Sequence, residues 1–264
     1  MHCSQELPEP ESAVRRRIGS VPYLNAVPLT HTLGPEVVLL PPSRLAVELH
    51  AGRLDAALVS VTEPLRHPGY HIVDGVGIIS RGPVASVILA HRRPLEALTR
   101  VHADAASCTS VALLRMLLAA RGIRPEFVPF HDYASAADRE AVLLIGNPAL
   151  EFRRSGASHD VWDLGAAWWE WTGLPFVFAV WAVRDSAASG ELPGLLRAAA
   201  AAGCAAIPEL VEARTEFDRP LRQAYLGGHI HYDLGAAEKD GLRRFAQLLA
   251  EADGGRAAAV PRFV

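Results

Sequence analysis

Seven neutral polar residues carry the chemistry that this chain's spacing makes available: Asn25, Ser43, Ser60, Ser86, Thr109, Ser110 and Asn147. Each stands at a predicted strand end or helix start, and none ionises near neutral pH. What such positions offer is hydrogen bonding to an anion. At a helix N-terminus the free backbone N–H groups, the macrodipole and a side-chain hydroxyl or amide act together, and a carboxylate is the group they hold well. Taken one at a time, each Ser or Thr reads as a helix cap. Arg44, beside Ser43, reads either as a cationic contact or as a solvated helix-face arginine. Glu63, in Ser60-Val61-Thr62-Glu63, is the carboxylate nearest to the set.

The elements that would position these residues alternate in type. Ile18 to Val21 is a short β-favouring run ended by Pro22, and Asn25 stands just before an apolar stretch, where an amide caps a helix or faces a ligand. Val37–Leu40, Ala56–Val59, Ile72–Ile79 and Val87–Ala90 are predicted strands, with helices near Asn25–Thr32 and Arg44–Ala51. That alternation implies a mainly parallel sheet covered by helices. A second set follows, with helices at Thr109–Arg121 and Pro148–Arg154 and strands at Glu126–Val128, Ala141–Ile145 and Phe176–Val183. Beyond it the chain reads as helical to the end, with Leu242, Phe245, Leu248 and Leu249 on one face and Gly254-Gly255 as the stop. There is no internal repeat. Two strands, Ser86–Ala90 and Phe176–Val183, bracket the second set, the pattern of two lobes joined by two crossing segments. The expected division is a flexible tail at 1–15, lobe one at 16–91 plus 184–264, and lobe two at 92–183. A ligand would sit in the cleft between them.

Composition narrows the function classes. The chain has 264 residues, half of them apolar, enough to bury a sizeable core. A formal net charge of −3 argues against a nucleic-acid partner, which needs a dense basic face. Lys239 is the only lysine, so positive charge is almost all arginine. No apolar run approaches a membrane span, and Met1 to Arg17 lacks an apolar export segment, so no membrane association and a cytoplasmic location are expected. Three widely spaced cysteines, Cys3, Cys108 and Cys204, suit a reducing compartment.

Other constellations lack parts. Gly75-Val76-Gly77 misses the remaining glycine of a dinucleotide loop, no Walker loop is present, and His229 and His231 have no partner motif for zinc. No cofactor and no metal are expected. Cys108 precedes a helix but has no His base beside it in sequence, so it reads as a small packed side chain. Trp168, Trp169 and Trp171 read as core and interlobe packing before they read as a stacking platform.

Six segments carry a resemblance. Arg17-Ile18-Gly19-Ser20-Val21-Pro22-Tyr23-Leu24-Asn25-Ala26-Val27-Pro28-Leu29 opens the set. Leu54 to Val61, Gly82-Pro83-Val84-Ala85-Ser86-Val87, Ser107-Cys108-Thr109-Ser110, Leu143 to Leu150 and Thr172 to Trp181 follow, with a looser match from Tyr225 to Phe245. Together they resemble the chorismate dehydratases of the futalosine route to menaquinone, proteins built like periplasmic solute-binding proteins. The resemblance implies a two-lobed α/β fold of the type II periplasmic-binding-protein kind. It also implies loss of water from chorismate to give 3-[(1-carboxyvinyl)oxy]benzoate, without metal or redox cofactor.

At the family's motif positions the seven polar residues read as cleft residues. Ser86 and Asn25 are the expected catalytic pair, lending hydrogen bonds near the breaking bonds. Ser43, Arg44, Ser60, Thr109, Ser110 and Asn147 are the expected contacts to the two carboxylates of the substrate. The base is either a carboxylate of the substrate itself, the preferred reading, or Glu63. Two other functions share the fold: a solute-binding protein that closes on a small carboxylate, and the sister enzyme of the same route, which makes a dihydroxynaphthoate. The absence of an export signal counts against the first, and the Tyr23-Leu24-Asn25 opening against the second.

Overall fold

The computed structural model describes residues 16–104, 107–254 and 260–264. The expected flexible tail at 1–15, Cys3 within it, and the Gly255 half of the helix stop lie outside the described residues. The chain opens with β1 (Ile18–Ser20), a 3₁₀ turn (Leu24–Ala26) continuing into α1 (Val27–Thr30), β2 (Val38–Leu39), α2 (Pro42–His50), β3 (Ala56–Ser60), α3 (Thr62–Arg66) and β4 (Tyr70–Ser80). A second group comprises β5 (Val87–His91), β6 (Arg100–Asp104), α4 (Cys108–Ala120), β7 (Glu126–Phe130), β8 (Ala141–Ile145), α5 (Gly146–Arg154), β9 (Asp160–Asp163) and α6 (Leu164–Thr172). The last group is β10 (Phe176–Arg184), α7 (Asp185–Ala188), α8 (Leu192–Ala205), α9 (Ile207–Ala213), α10 (Arg219–Ala224), a π turn (Tyr225–His229), β11 (His231–Leu234) and α11 (Ala236–Ala252).

These elements form two sheets, in the orders β11-β4-β10-β3-β1-β2 and β7-β6-β8-β5-β9. Central strands are apolar throughout because helices cover both of their faces: every residue of β8 is buried, as are the first four of β3. Helix ends follow local chemistry. Asp163 caps α6, whose last turn stops at Gly173 in the left-handed conformation. Pro42 occupies the first position of α2, where a missing N–H costs nothing. On α11, Leu242, Phe245 and Leu249 are buried as the spacing predicts. Trp168 is fully buried, with its ring centroid 5.1 Å from that of Phe176 and 6.3 Å from that of Phe245. It belongs to the core, while Trp169 and Trp171 are exposed.

Three expectations change. The sheets are mixed: β1 pairs in parallel with β2 and β3, and β6 with β7 and β8, whereas β10, β11, β5 and β9 pair antiparallel. The chain is not helical throughout its last third, because β11 joins the edge of the first sheet against β4. The crossing strands also change sheets earlier in the chain than their apolar runs imply. β5 lies in the second sheet and β10 in the first, so the crossovers run through 81–86 and 173–175 and not beyond His91 and Arg184. Among the described residues no single helix is long and apolar enough to cross a membrane; α8 with α9 passes on length and composition only as a pair bent by 67°.

One close approach ties the two sheets. Gly146, the first residue of α5, has φ +60°, and a Cβ there would lie 2.8 Å from the Tyr23 ring. Only glycine fits without strain. Gly146→Ala is expected to cost about 1–3 kcal/mol of stability, from left-handed strain and overpacking together, read as a lower midpoint in urea unfolding at unchanged slope.

Candidate functional site

The 81–86 crossover is the local structure on which the site is built. Ala85 sits at φ +64°, a strained conformation for a residue with a Cβ. The Asp163 carboxylate holds it there, accepting from Val84 N at 3.0 Å and Ala85 N at 2.8 Å while also capping α6 through Ala166 N at 3.1 Å. Gly165 lets α6 come this near, since a Cβ there would lie 2.6 Å from the Gly82 carbonyl oxygen. Arg81 donates to the buried Glu238 at 2.9 Å, which accepts from Gly235 N at the start of α11. Beyond the turn, the Ser86 carbonyl accepts from Gly146 N at 2.8 Å. Ser86 is thereby fixed in backbone and direction.

The side chain of Ser86 enters a cleft between the sheets with a volume of about 560 Å³, its open mouth included. Tyr23, Asn25, Ser60 and Phe178 line it from the first sheet's side, and Ser107, Ser110 and Gly146 from the second. Ser107 caps α4, its Oγ accepting from Ser110 N at 3.2 Å and donating to Ser110 Oγ at 2.7 Å. The cleft therefore meets the N-terminal ends of two helices, α4 and α5, with hydroxyl groups beside them.

Behind Ser86 lies Tyr225, fully buried, whose hydroxyl donates to Ser86 Oγ at 2.7 Å. Burial raises its phenol pKa well above the ordinary tyrosine value, against the opposing hydrogen bonds of Ser86 and Asn25, so it stays a donor. With its oxygen already accepting, Ser86 has its own proton free to donate into the cleft. Tyr232, also held protonated by burial, donates to the Asn25 carbonyl at 3.0 Å and fixes that backbone. Asn25 Oδ1 is buried with no hydrogen-bond partner among the described residues. Tyr23 is the one lining side chain that titrates, and burial followed by the charge of Asp104 pushes it up to about 12. Among the described lining residues there is no carboxylate, imidazole or ammonium.

Of the residues expected from the sequence, Asn25, Ser60, Ser86 and Ser110 come together in this cleft. The others do not line it. Ser43 and Arg44 are exposed on the next positions of α2 after Pro42, the residue that does line it, and Arg44 pairs with Glu48 at 3.9 Å. Thr109 is buried on α4, its hydroxyl 3.2 Å from that of Thr62 and accepting from Thr62 N at 3.2 Å. Asn147 Oδ1 accepts from Leu24 N at 3.0 Å, a tie between the lobes. Glu63 lies outside the lining, 3.1 Å from His50 Nε2. Cys108 is exposed, not packed, and its thiol is held above the ordinary value first by desolvation and then by the charge of Glu63. Sequence reasoning passed over Tyr225 and Asp163, whose partners are 139 and 78 residues away.

Two lobes, mixed sheets and a cleft of neutral donors at helix N-termini define a periplasmic-binding-protein-like fold. The comparison with solved structures agrees. The alkanesulfonate-binding protein SsuA from Xanthomonas axonopodis pv. citri, bound to MOPS, superposes with a TM-score of 0.68 at 14% identity, over 93% of this chain and 95% of that one. The periplasmic aliphatic sulphonate binding protein SsuA from Escherichia coli gives 0.63 at 17%, over 94% and 93%. In sequence, residues 16–251 match the family described as "Menaquinone biosynthesis", and the chain belongs to that family. Two curated relatives are chorismate dehydratases. The one from Thermus thermophilus is 33% identical over 88% of this chain and 94% of its own length, and the one from Campylobacter jejuni 33% over 52% and 49%.

Asp163 accepts three backbone N–H bonds at once, a role its amide analogue cannot fill. Asp163→Asn should destabilise the fold by about 1–3 kcal/mol, measured by urea unfolding.

Proposed function

We propose that the protein is a chorismate dehydratase, a carbon–oxygen hydro-lyase, acting in menaquinone biosynthesis. The observation that carries this reading is a cleft rich in neutral donors, with no carboxylate, imidazole or ammonium among its described lining residues. An elimination that gains an aromatic ring needs little chemical force from the protein. It needs orientation and a donor at the leaving oxygen. Family membership and the two curated relatives support the choice of substrate.

In this account the substrate's two carboxylates take the free donors at the starts of α4 and α5, among them the Ser110 hydroxyl, whose proton stays free because its oxygen accepts from Ser107, with Ser60 opposite. The proton leaves the ether-bearing ring carbon to a carboxylate of the substrate itself, the base that the cleft does not supply. The C–O bond to the neighbouring hydroxyl breaks, and the departing oxygen takes the Ser86 proton, which Ser86 regains in the same site from that carboxylic acid or from water. Water and 3-[(1-carboxyvinyl)oxy]benzoate are the products. Asn25 steadies the leaving hydroxyl through its otherwise unpartnered amide oxygen, and Tyr225 is a positioning residue that sets the direction of the Ser86 proton. We place the reaction in the cytoplasm, in keeping with free thiols at Cys108 and Cys204.

Purified protein given chorismate alone should form a product lighter by one water, detected by mass. Ser86→Ala and Asn25→Ala should each lower kcat on the order of 10²-fold, with product affinity changed far less. Tyr225→Phe should lower kcat about tenfold at unchanged KM. No product from the wild-type chain would refute the function; full turnover in both alanine variants would refute the assigned pair.

A further inference from the structure

Where the end of α2 and α3 meet the start of β4, three side chains converge. Among the described residues, His50, Glu63 and His67 place one ligand atom each within 4.8 Å of one another. Glu63 Oε2 lies 3.1 Å from His50 Nε2 and 3.7 Å from His67 Nε2. His50 ends α2, Glu63 is in the first turn of α3, and His67 is one helical turn on, at its C-terminal boundary. Two imidazoles and a carboxylate form a common set for a borderline divalent cation. Tetrahedral bonds of about 2.0–2.1 Å put ligand atoms roughly 3.3 Å apart. The two spacings from the Glu63 oxygen, 3.1 Å and 3.7 Å, bracket that value.

Two further features point to a ligand. Tyr70, at the start of β4, has its hydroxyl in hydrogen-bond contact with His50 Nδ1 at 2.7 Å. A metal-bound imidazole needs such an outer partner on its second nitrogen to fix its tautomer and orientation. With a cation on Nε2, the proton sits on Nδ1 and donates to the Tyr70 hydroxyl oxygen. The second feature is crowding: the His50 and His67 ring centroids are 4.3 Å apart and both rings address one carboxylate oxygen. Two imidazoles this close, turned to one carboxylate oxygen, form the convergence that a shared cation would hold together. Arg66, the nearby cation, is drawn away by the Asp253 carboxylate, which accepts from its Nε and Nη2 at 2.9–3.2 Å.

We propose that His50, Glu63 and His67 bind a zinc-class divalent cation, with water completing the half-exposed fourth position. The ion ties the end of α2 and α3 to the start of β4. Its role is structural, since none of the three residues lines the cleft.

Titrating ZnCl₂ calorimetrically into chelator-treated full-length protein tests this. One saturable site is expected, with affinity at least tenfold weaker in His50→Ala and in His67→Ala and about tenfold weaker in Tyr70→Phe, the range for loss of an outer partner. Zinc should raise Tm in the wild type but not in His67→Ala, and Mg²⁺ should not compete. His67 is half exposed, so its variant should keep the metal-free Tm and serve as the folded control. No saturable binding, or wild-type affinity in either histidine variant, would overturn the proposal. Chorismate turnover should survive chelation while Tm falls, so failure of the metal site and failure of the dehydratase reading are told apart.

Discussion

The Asp163 carboxylate is the constraint on which this structure turns. It satisfies the amides of Val84 and Ala85 and the first turn of α6 together, and it holds Ala85 in a conformation that only surrounding structure can enforce. Because the turn at 81–86 is where the chain passes from one sheet to the other, that single carboxylate links three things. It fixes the path between lobes, the approach of α6 to the crossover and the direction of Ser86. A charge-assisted contact suits the task, since each N–H bond to a carboxylate is stronger than one to a neutral acceptor. The strain sits one residue from the hydroxyl assigned to the reaction.

Around that turn the site is built from buried neutral donors and not from charge. Tyr225 and Tyr232 lie under the cleft floor with their hydroxyls spent on Ser86 and Asn25, and burial keeps both protonated. Such groups are aimed before the substrate arrives and pay no reorganisation cost when charge moves. A side-chain base would instead carry a charge into a pocket that also has to accept two carboxylates, and like charges there would oppose binding. Using an acceptor that the substrate brings removes that conflict.

Much of the fold was legible because its central elements are fully buried. Ala141–Ile145 and Phe176 onward announce themselves as strands through continuous apolar runs, and α2, α4 and α11 through helical spacing. The elements that escaped are short and half polar: β6 (Arg-Val-His-Ala-Asp), β9 (Asp-Val-Trp-Asp) and β11 (His-Tyr-Asp-Leu). β9 and β11 are strands because a neighbour offers a free edge, and β6 because β7 and β8 flank it, which is information held elsewhere in the chain. The mixed sheet follows from the same cause. At the site, segments were legible but helix phase was not. The start of α2 puts Pro42 in the cleft and leaves Ser43 and Arg44 in solvent, and the start of α4 turns Ser110 inward and Thr109 toward Thr62. Asn147 proved to be a strut between lobes. Tyr225 and Asp163 act through partners far away in sequence, and no local motif encodes them, whereas Glu63 and His67 lie one helical turn apart with His50 13 residues before Glu63.

The central claim is that the cleft contributes aimed donors and no titrating base. The pH dependence of kcat tests it most directly. Ser86 and Asn25 do not titrate, Tyr23 is pushed up to about 12, and a carboxylate base is ionised well below neutrality. The account therefore predicts a kcat that stays level between about pH 6 and about pH 10. An inflection within that range that disappears when one histidine or one carboxylate of the chain is substituted would place the base on the protein and contradict it.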